Sequence, residues 1–186
     1  MNTKTKKYLV LIAVITIVIV GIVFFTRGKK SSNAANGIAS TNVFSTAEKT
    51  TLIDTELEFP IKNDQGEEIN RFKYKVENAE IRDEIIVRGQ RATSINGRTF
   101  LVLNIKLSNP LDQAIQINTR DYIRLIRNGN PAKQLAPDVH NDPVQVQAIS
   151  TKMARVAFPI NDTDSDLQLQ IGEIKGEKQI VPVVFN

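Results

Sequence analysis

The stretch FLVLNIKLSNP, Phe100 to Pro110, decides the fold. Leu101, Leu103, Ile105 and Leu107 fall on one side of an extended chain, and Val102, Asn104, Lys106 and Ser108 fall on the other. Side chains of a strand alternate between faces, so this pattern predicts a strand with one face in a core and one in water. Pro110 has no amide hydrogen to give a ladder, so the strand from Arg98 should stop at Asn109. The Asn96-Gly97 pair just upstream is a turn signal.

Working outward from this plank, the same alternation recurs. Phe72, Tyr74 and Val76 alternate with Lys73, Lys75 and Glu77. EIIVRG (84–89) is a short apolar run closed by glycine, and AIQIN (114–118) follows the plank. In DYIRLIRNGN (121–130), Ile123 and Leu125 oppose Tyr122, Arg124 and Ile126 ahead of a second Asn-Gly pair. PVQVQA (143–148), ARVAFPI (154–160), LQLQI (167–171) and QIVPVVF (179–185) complete the set. That amounts to roughly eight or nine short strands with turn signals between them, and no convincing helix after residue 30. Strands that are each wet on one face pack economically as two antiparallel sheets, so the expected fold is all-β, a two-sheet β-sandwich over 53–186.

The first thirty residues belong to another population. Tyr8 to Phe25, YLVLIAVITIVIVGIVFF, carries no charge. As a helix it would span roughly 27 Å, close to the hydrocarbon thickness of a bilayer. Residues 1–7 form a short basic flank, and 8–26 are expected to be a single transmembrane signal-anchor helix. Ser32-Asn33-Ala34 has small residues at a cleavage-like spacing, but the apolar run is long for a signal core and Arg27, Lys29 and Lys30 follow it directly. The anchor is therefore expected to stay. Basic residues on both flanks leave only a slight bias toward an inside N-terminus, with the bulk of the chain extracytoplasmic. Residues 27–52 are rich in Ser, Thr, Asn and Ala and sustain no apolar period, which reads as a flexible tether.

Charge supports this division. Residues 1–30 hold six of the 24 basic residues and no acid, which leaves 18 basic against 20 acidic side chains in the remainder, or net −2. The basic balance belongs to the N-terminus, and nothing beyond it calls for nucleic acid. The absence of cysteine excludes disulfides, thiolate metal sites, thiol nucleophiles and a lipidated cysteine.

The segments NGRTFLVLNIKLSNP (96–110), RDYIRLIRNG (120–129) and RVAFPI (155–160), with a closing hydrophobic strand, resemble bacterial exported immunoglobulin-like domains of unknown function. These lie within the immunoprotective extracellular, immunoglobulin-like superfamily. The resemblance spans Phe72 to Asn186. It implies an immunoglobulin-like sandwich carried behind a membrane segment and tether, and it implies no activity. Two features depart from the family pattern: STKMARVAF (150–158) lacks the glycine often found before the Val-x-Phe strand, and no cysteine is present for lipidation.

Candidate chemistry is sparse. Asp162, Asp164 and Asp166 alternate in NDTDSD, a spacing that lets carboxylates converge on calcium. An EF-hand counted from Asp162 would need glycine where Leu167 stands, although Glu173 does fall at its twelfth position. His140, the only histidine, sits between Asp138 and Asp142 in a Pro-bounded segment, where it could act as a base or ligand given partners. No Gly-x-Ser-x-Gly, Ser-x-x-Lys or phosphate loop appears. Arg82, Arg88, Arg91 and Arg98 could form a basic patch, or a solvated face punctuated by Glu80, Asp83 and Glu84.

The expectation is a non-enzymatic, cofactor-free module anchored in the cell membrane through Tyr8–Phe25 that binds a protein or cell-envelope partner. A calcium- or ligand-dependent adhesion module using the loops near Asp162–Asp166 and His140 is the alternative. A hydrolase would require His140 to meet a nucleophile.

Overall fold

A computed structural model describes residues 46–87 and 90–185. The basic flank, the apolar span and the tether up to residue 45 lie outside the described residues. Among the described residues no helix is long and apolar enough to cross a membrane.

The described residues form thirteen strands and one 3-10 turn. The strands are β1 (Lys49–Lys62), β2 (Glu68–Arg82), β3 (Glu84–Val87), β4 (Gln90–Thr93), β5 (Arg98–Asn109), β6 (Ile115–Ile117), β7 (Ile123–Ile126), β8 (Gln134–Leu135), β9 (Val139–His140), β10 (Val144–Val146), β11 (Ser150–Asn161), β12 (Leu167–Ile171) and β13 (Gln179–Val183). The 3-10 turn, Thr119–Tyr122, precedes β7, so Tyr122 sits in that turn rather than in the strand.

Two sheets make the sandwich. One has five strands in the order β1-β2-β5-β11-β9, the other four in the order β13-β12-β7-β8. Two ribbons, β6–β10 and β3–β4, flank them. All ladders are antiparallel. The plank is the central strand β5, and it ends at Asn109 as Pro110 requires.

Leu101, Leu103, Ile105 and Leu107 are fully buried. Ile81, Ala79, Val76 and Tyr74 stand opposite them on β2, and Phe158, Val156, Ala154 and Lys152 on β11. Ile123, Leu125, Leu167, Leu169, Ile171 and Val183 close the core from the second sheet. Each buried Leu or Ile is worth about 1.5–3 kcal/mol against exposure, so the plank alone is a main source of stability.

Three findings correct the sequence reading. First, β1 starts at Lys49, so Lys49–Leu52 belong to the sheet and not to a tether ending at residue 52. β1 as a whole falls outside the eight or nine expected strands, although Leu57, Phe59 and Ile61 alternate with Glu56, Glu58 and Pro60. Pro60 is tolerated because β1 is the edge of its sheet.

Second, a bulge at Glu77 breaks the parity of β2. Val76 pairs with Ile105, but Asn78 pairs with Asn104. The inward set therefore runs Tyr74, Val76, Ala79, Ile81. A matching irregularity lies in β1 between Leu52 and Thr55, where Asp54 has a φ of 46°.

Third, the outer face of β5 is not wet along its length. Val102 is 4% exposed and Asn104 8%. The β3–β4 ribbon is inserted between β2 and β5, which are ladder neighbours, and β3 touches β5. Its side chains Ile85 and Ile86 share a groove with Val102.

The turns follow their residues. Arg98 N–H donates to Ile95 O at 3.0 Å, with φ of 80° at Gly97 and no positive φ at Asn96, the arrangement of a type II turn. At Asn128-Gly129 both residues have positive φ, 55° and 60°, as type I′ demands. A Cβ at Gly129 would collide with the Asp166 carboxylate.

Candidate functional site

Two places concentrate polar chemistry and a third is an apolar groove with a polar margin.

The first is the end of the sandwich where the chain enters β1. Glu48, Asp83, Arg98, Asp162 and Asp164 line a cleft of about 620 Å³. The hydrogen bond and charge of Asp83 raise the Glu48 carboxyl above its ordinary 4.5, with burial and Asp162 adding to the rise and Lys49 opposing it. The sequence placed Asp162, Asp164 and Asp166 together, but their carboxylates have separate employers. Asp164 Oδ2 accepts from Arg127 Nη1 at 2.8 Å and from Asn161 N–H at 2.9 Å, and Oδ1 accepts from Asn128 Nδ2 at 3.2 Å. Burial pushes its carboxyl up, yet those donors outweigh burial and hold it below the ordinary 3.8. Asp166 accepts from Gln168 Nε2 at 3.1 Å. Asp162 is exposed, and its backbone N–H donates to Gly97 O at 3.2 Å. Among the described residues no three acidic or histidine side chains converge as a metal site. Asp164 thus ties the β11–β12 loop to the β7–β8 loop.

The second is the corner around His140, on β9. Asp142 caps the 3-10 turn: Oδ1 accepts from Thr119 N–H at 2.8 Å and from Thr119 Oγ1 at 2.6 Å, and Oδ2 accepts from Arg120 N–H at 2.9 Å. His140 Nε2 lies 3.1 Å from Arg120 Nη1. Nδ1 lies 3.2 Å from the Asp142 backbone N–H and 3.3 Å from Asp142 Oδ2, so both ring nitrogens are already engaged within this corner. A base here would have to give up one of those contacts. Thr119 Oγ1, the nearby hydroxyl, donates to Asp142 and not to the ring. Asp138 anchors the start of β9 through its backbone N–H, which donates to Ala157 O at 3.1 Å.

The third place was not singled out by sequence reasoning. It is a groove of about 340 Å³ on the outer face of the first sheet. Ala157 pairs with Val102 on one side and Val139 on the other, which forms an apolar strip across three strands. Ile85 and Ile86 stand over it, and Arg82, Glu84 and Arg155 edge it. Asn104 organises the polar margin. Its Nδ2 donates to Asn78 Oδ1 at 2.6 Å and Glu80 Oε1 at 2.8 Å, and its Oδ1 accepts from Arg155 Nε at 2.8 Å. Arg82 pairs with Glu80 at 2.5 Å, and Arg91 with Glu84 at 3.2 Å. Of the four arginines weighed as a basic patch or a solvated face, two are thus in ion pairs with Glu80 and Glu84, Arg98 lines the acidic cleft, and Arg88 lies outside the described residues. The signal that could have revealed this groove is the run of buried-type residues on the supposedly wet side: Val102 and Ala157.

No model of a known protein family matches the chain, and no curated protein sequence matches it. Solved structures do. A conserved hypothetical protein from Bacillus anthracis aligns with a TM-score of 0.43 and 13% identity, over 68% of this chain and 96% of that one. An uncharacterized β-sandwich protein from Clostridium difficile aligns with a TM-score of 0.49 and 13% identity, over 68% and 90%. A functionally unknown protein from Listeria monocytogenes aligns with a TM-score of 0.47 and 12% identity, over 76% and 87%.

Proposed function

We propose that the protein is a membrane-anchored, extracytoplasmic binding module: an immunoglobulin-like β-sandwich held off the bilayer by a polar tether, which offers a surface to a protein or cell-envelope partner. The observation that carries this reading is the order of physical types along the chain. An uncharged apolar stretch long enough to span a bilayer (Tyr8–Phe25) is followed by a segment too polar to pack, and then by a sandwich stable without cysteine. A cysteine-free core built by packing alone suits a domain exported without oxidative folding. The immunoglobulin-like assignment rests on the resemblance of residues 96–110, 120–129 and 155–160, together with two antiparallel sheets face to face.

Reporter fusions after Asn186 test the placement. A phosphatase that matures only outside the cytoplasm should be active, and a reporter that works only inside should be silent. The reverse pattern would end this reading.

A further inference from the structure

We propose that the groove between β3 and β9 binds the apolar C-terminal end of a partner protein and pairs its carboxylate with Arg155. This rests on the binding-module reading and names its site and partner chemistry.

The outer face of a sandwich sheet normally carries polar side chains, because water covers it. Here Val102, Ala157 and Val139 make a cross-strand apolar strip on that face. The β3–β4 ribbon supplies the wall. β2 and β5 pair directly, with Arg82 opposite Phe100, so a short turn would have sufficed to join them. The chain inserts a ribbon there instead and stands Ile85 and Ile86 over the strip, with Ile86 still about half exposed. The result is a concave apolar floor within the size range of ligand clefts.

Val139 is part of the floor, so the unpaired main-chain edge of β9 points away from the groove and a ligand here is held by side chains. Apolar side chains at the end of a protein chain cover the strip while the terminal carboxylate reaches Arg155. Both features are supplied by the C-terminus of a partner protein, the kind of partner the binding-module reading calls for.

Charge at the margin selects the end group. Glu80 is matched by Arg82 and Glu84 by Arg91. Arg155 has no carboxylate partner among the described residues. Its Nε is fixed by Asn104, which is itself held by Asn78 and Glu80, so the guanidinium is pre-aimed. Its two terminal nitrogens have no partner among the described residues and present the fork that takes a carboxylate with two parallel hydrogen bonds. Pre-positioning lowers the ordering cost of that contact.

The test uses the full chain in detergent and a fluorescein-labelled pentapeptide, Thr-Val-Thr-Ile-Val, as its free acid and as its C-terminal amide, read by fluorescence anisotropy. The acid is expected to bind about tenfold or more tighter than the amide, as loss of one charge-assisted fork predicts. Arg155→Gln should bring the acid down to the level of the amide, and Ile86→Ser should weaken both. Both positions are exposed, and unchanged melting curves verify the fold of each variant. Equal binding of acid and amide, indifference to Arg155→Gln, or no binding of either peptide at millimolar concentration overturns the proposal. Competition by isovalerate as effective as the peptide would overturn the peptide assignment. Loss of peptide binding with an extracytoplasmic reporter sinks the groove and leaves the placement standing; binding with a cytoplasmic reporter does the opposite.

Discussion

The carboxamide of Asn109 donates to the carbonyl of Gln147 at 2.9 Å and so ties the end of β5 to the segment that leads from β10 into β11. The same nitrogen reaches Gln113 O at 2.8 Å and Val146 O at 3.3 Å, and Oδ1 accepts from Leu111 N–H at 3.0 Å. Pro110 stops the strand, but Asn109 decides where the chain goes next.

Replacing Asn109 by Ala should therefore cost about 2–3 kcal/mol, because the site is buried and its carbonyls lose their donor. Asn109→Asp should cost at least as much near neutral pH, since an oxygen then faces carbonyls. Urea denaturation of the two variants beside the parent chain measures this. Two near-neutral variants would show that water replaces the carboxamide.

Tyr74 donates its phenol hydrogen to Thr119 O at 3.1 Å across the core and packs edge-on against Phe59. Tyr74→Phe should lose about 1–2 kcal/mol by leaving that carbonyl unpaired. Burial above all, then the charges of Asp142 and Tyr122, pushes the Tyr74 phenol well above its ordinary 10.0. The folded state keeps the proton longer than the unfolded chain does. Its contribution is intact below pH 10 and declines as pH rises above it. Tyr74→Phe should flatten part of that alkaline decline, and denaturation at pH 8 and pH 11 makes the comparison.

Asp164 works at the other limit. Its carboxyl is held below the ordinary value in the fold, so its contribution is complete above about pH 4 and disappears as pH falls through the folded value. Asp164→Asn should cost on the order of 2 kcal/mol at pH 7, since the half-buried Arg127 loses its anion and already has an unpaired Nε. The gap between variant and parent should narrow as pH falls below about 4. A gap that persists at low pH would mean that geometry, not charge, is what Asp164 supplies.

Ile149 has a φ of 45° and is 76% exposed. A β-branched residue in the left-handed region is strained, and little burial offsets the strain. Ile149→Asn should raise stability by about 1 kcal/mol, because asparagine tolerates that region. Equilibrium unfolding checks it. A loss of stability instead would mean that the isoleucine packs against its loop neighbours more than its exposure suggests.

Much of the fold is legible in the sequence alone. β5, β11 and β12 each announce themselves by alternation, because a period of two within one strand depends only on which face meets the core. Asn-Gly turns and Pro110 are equally local. β1 was readable too, at Leu57, Phe59 and Ile61, but the polar composition through Thr51 and the break at Asp54 disguised where it starts. The Glu77 bulge was not readable: its parity switch exists only because Asn78 finds Asn104 on another strand. The same holds for the candidate sites. NDTDSD suggested converging carboxylates, yet Asp164 was already claimed by Arg127, 37 residues away.

Alternation alone commits the chain past about residue 50 to β-strands with one greasy face, since it leaves no other economical burial. The sequence also sets the stops, since proline and Asn-Gly act on their own backbone. Which side of β5 is dry, and where, is settled in space: the face its own strand marks as polar turns apolar where Ala157 stands opposite Val102, Val139 stands beyond Ala157, and a ribbon folds above. Cross-strand partners are chosen in space, and no local period records them.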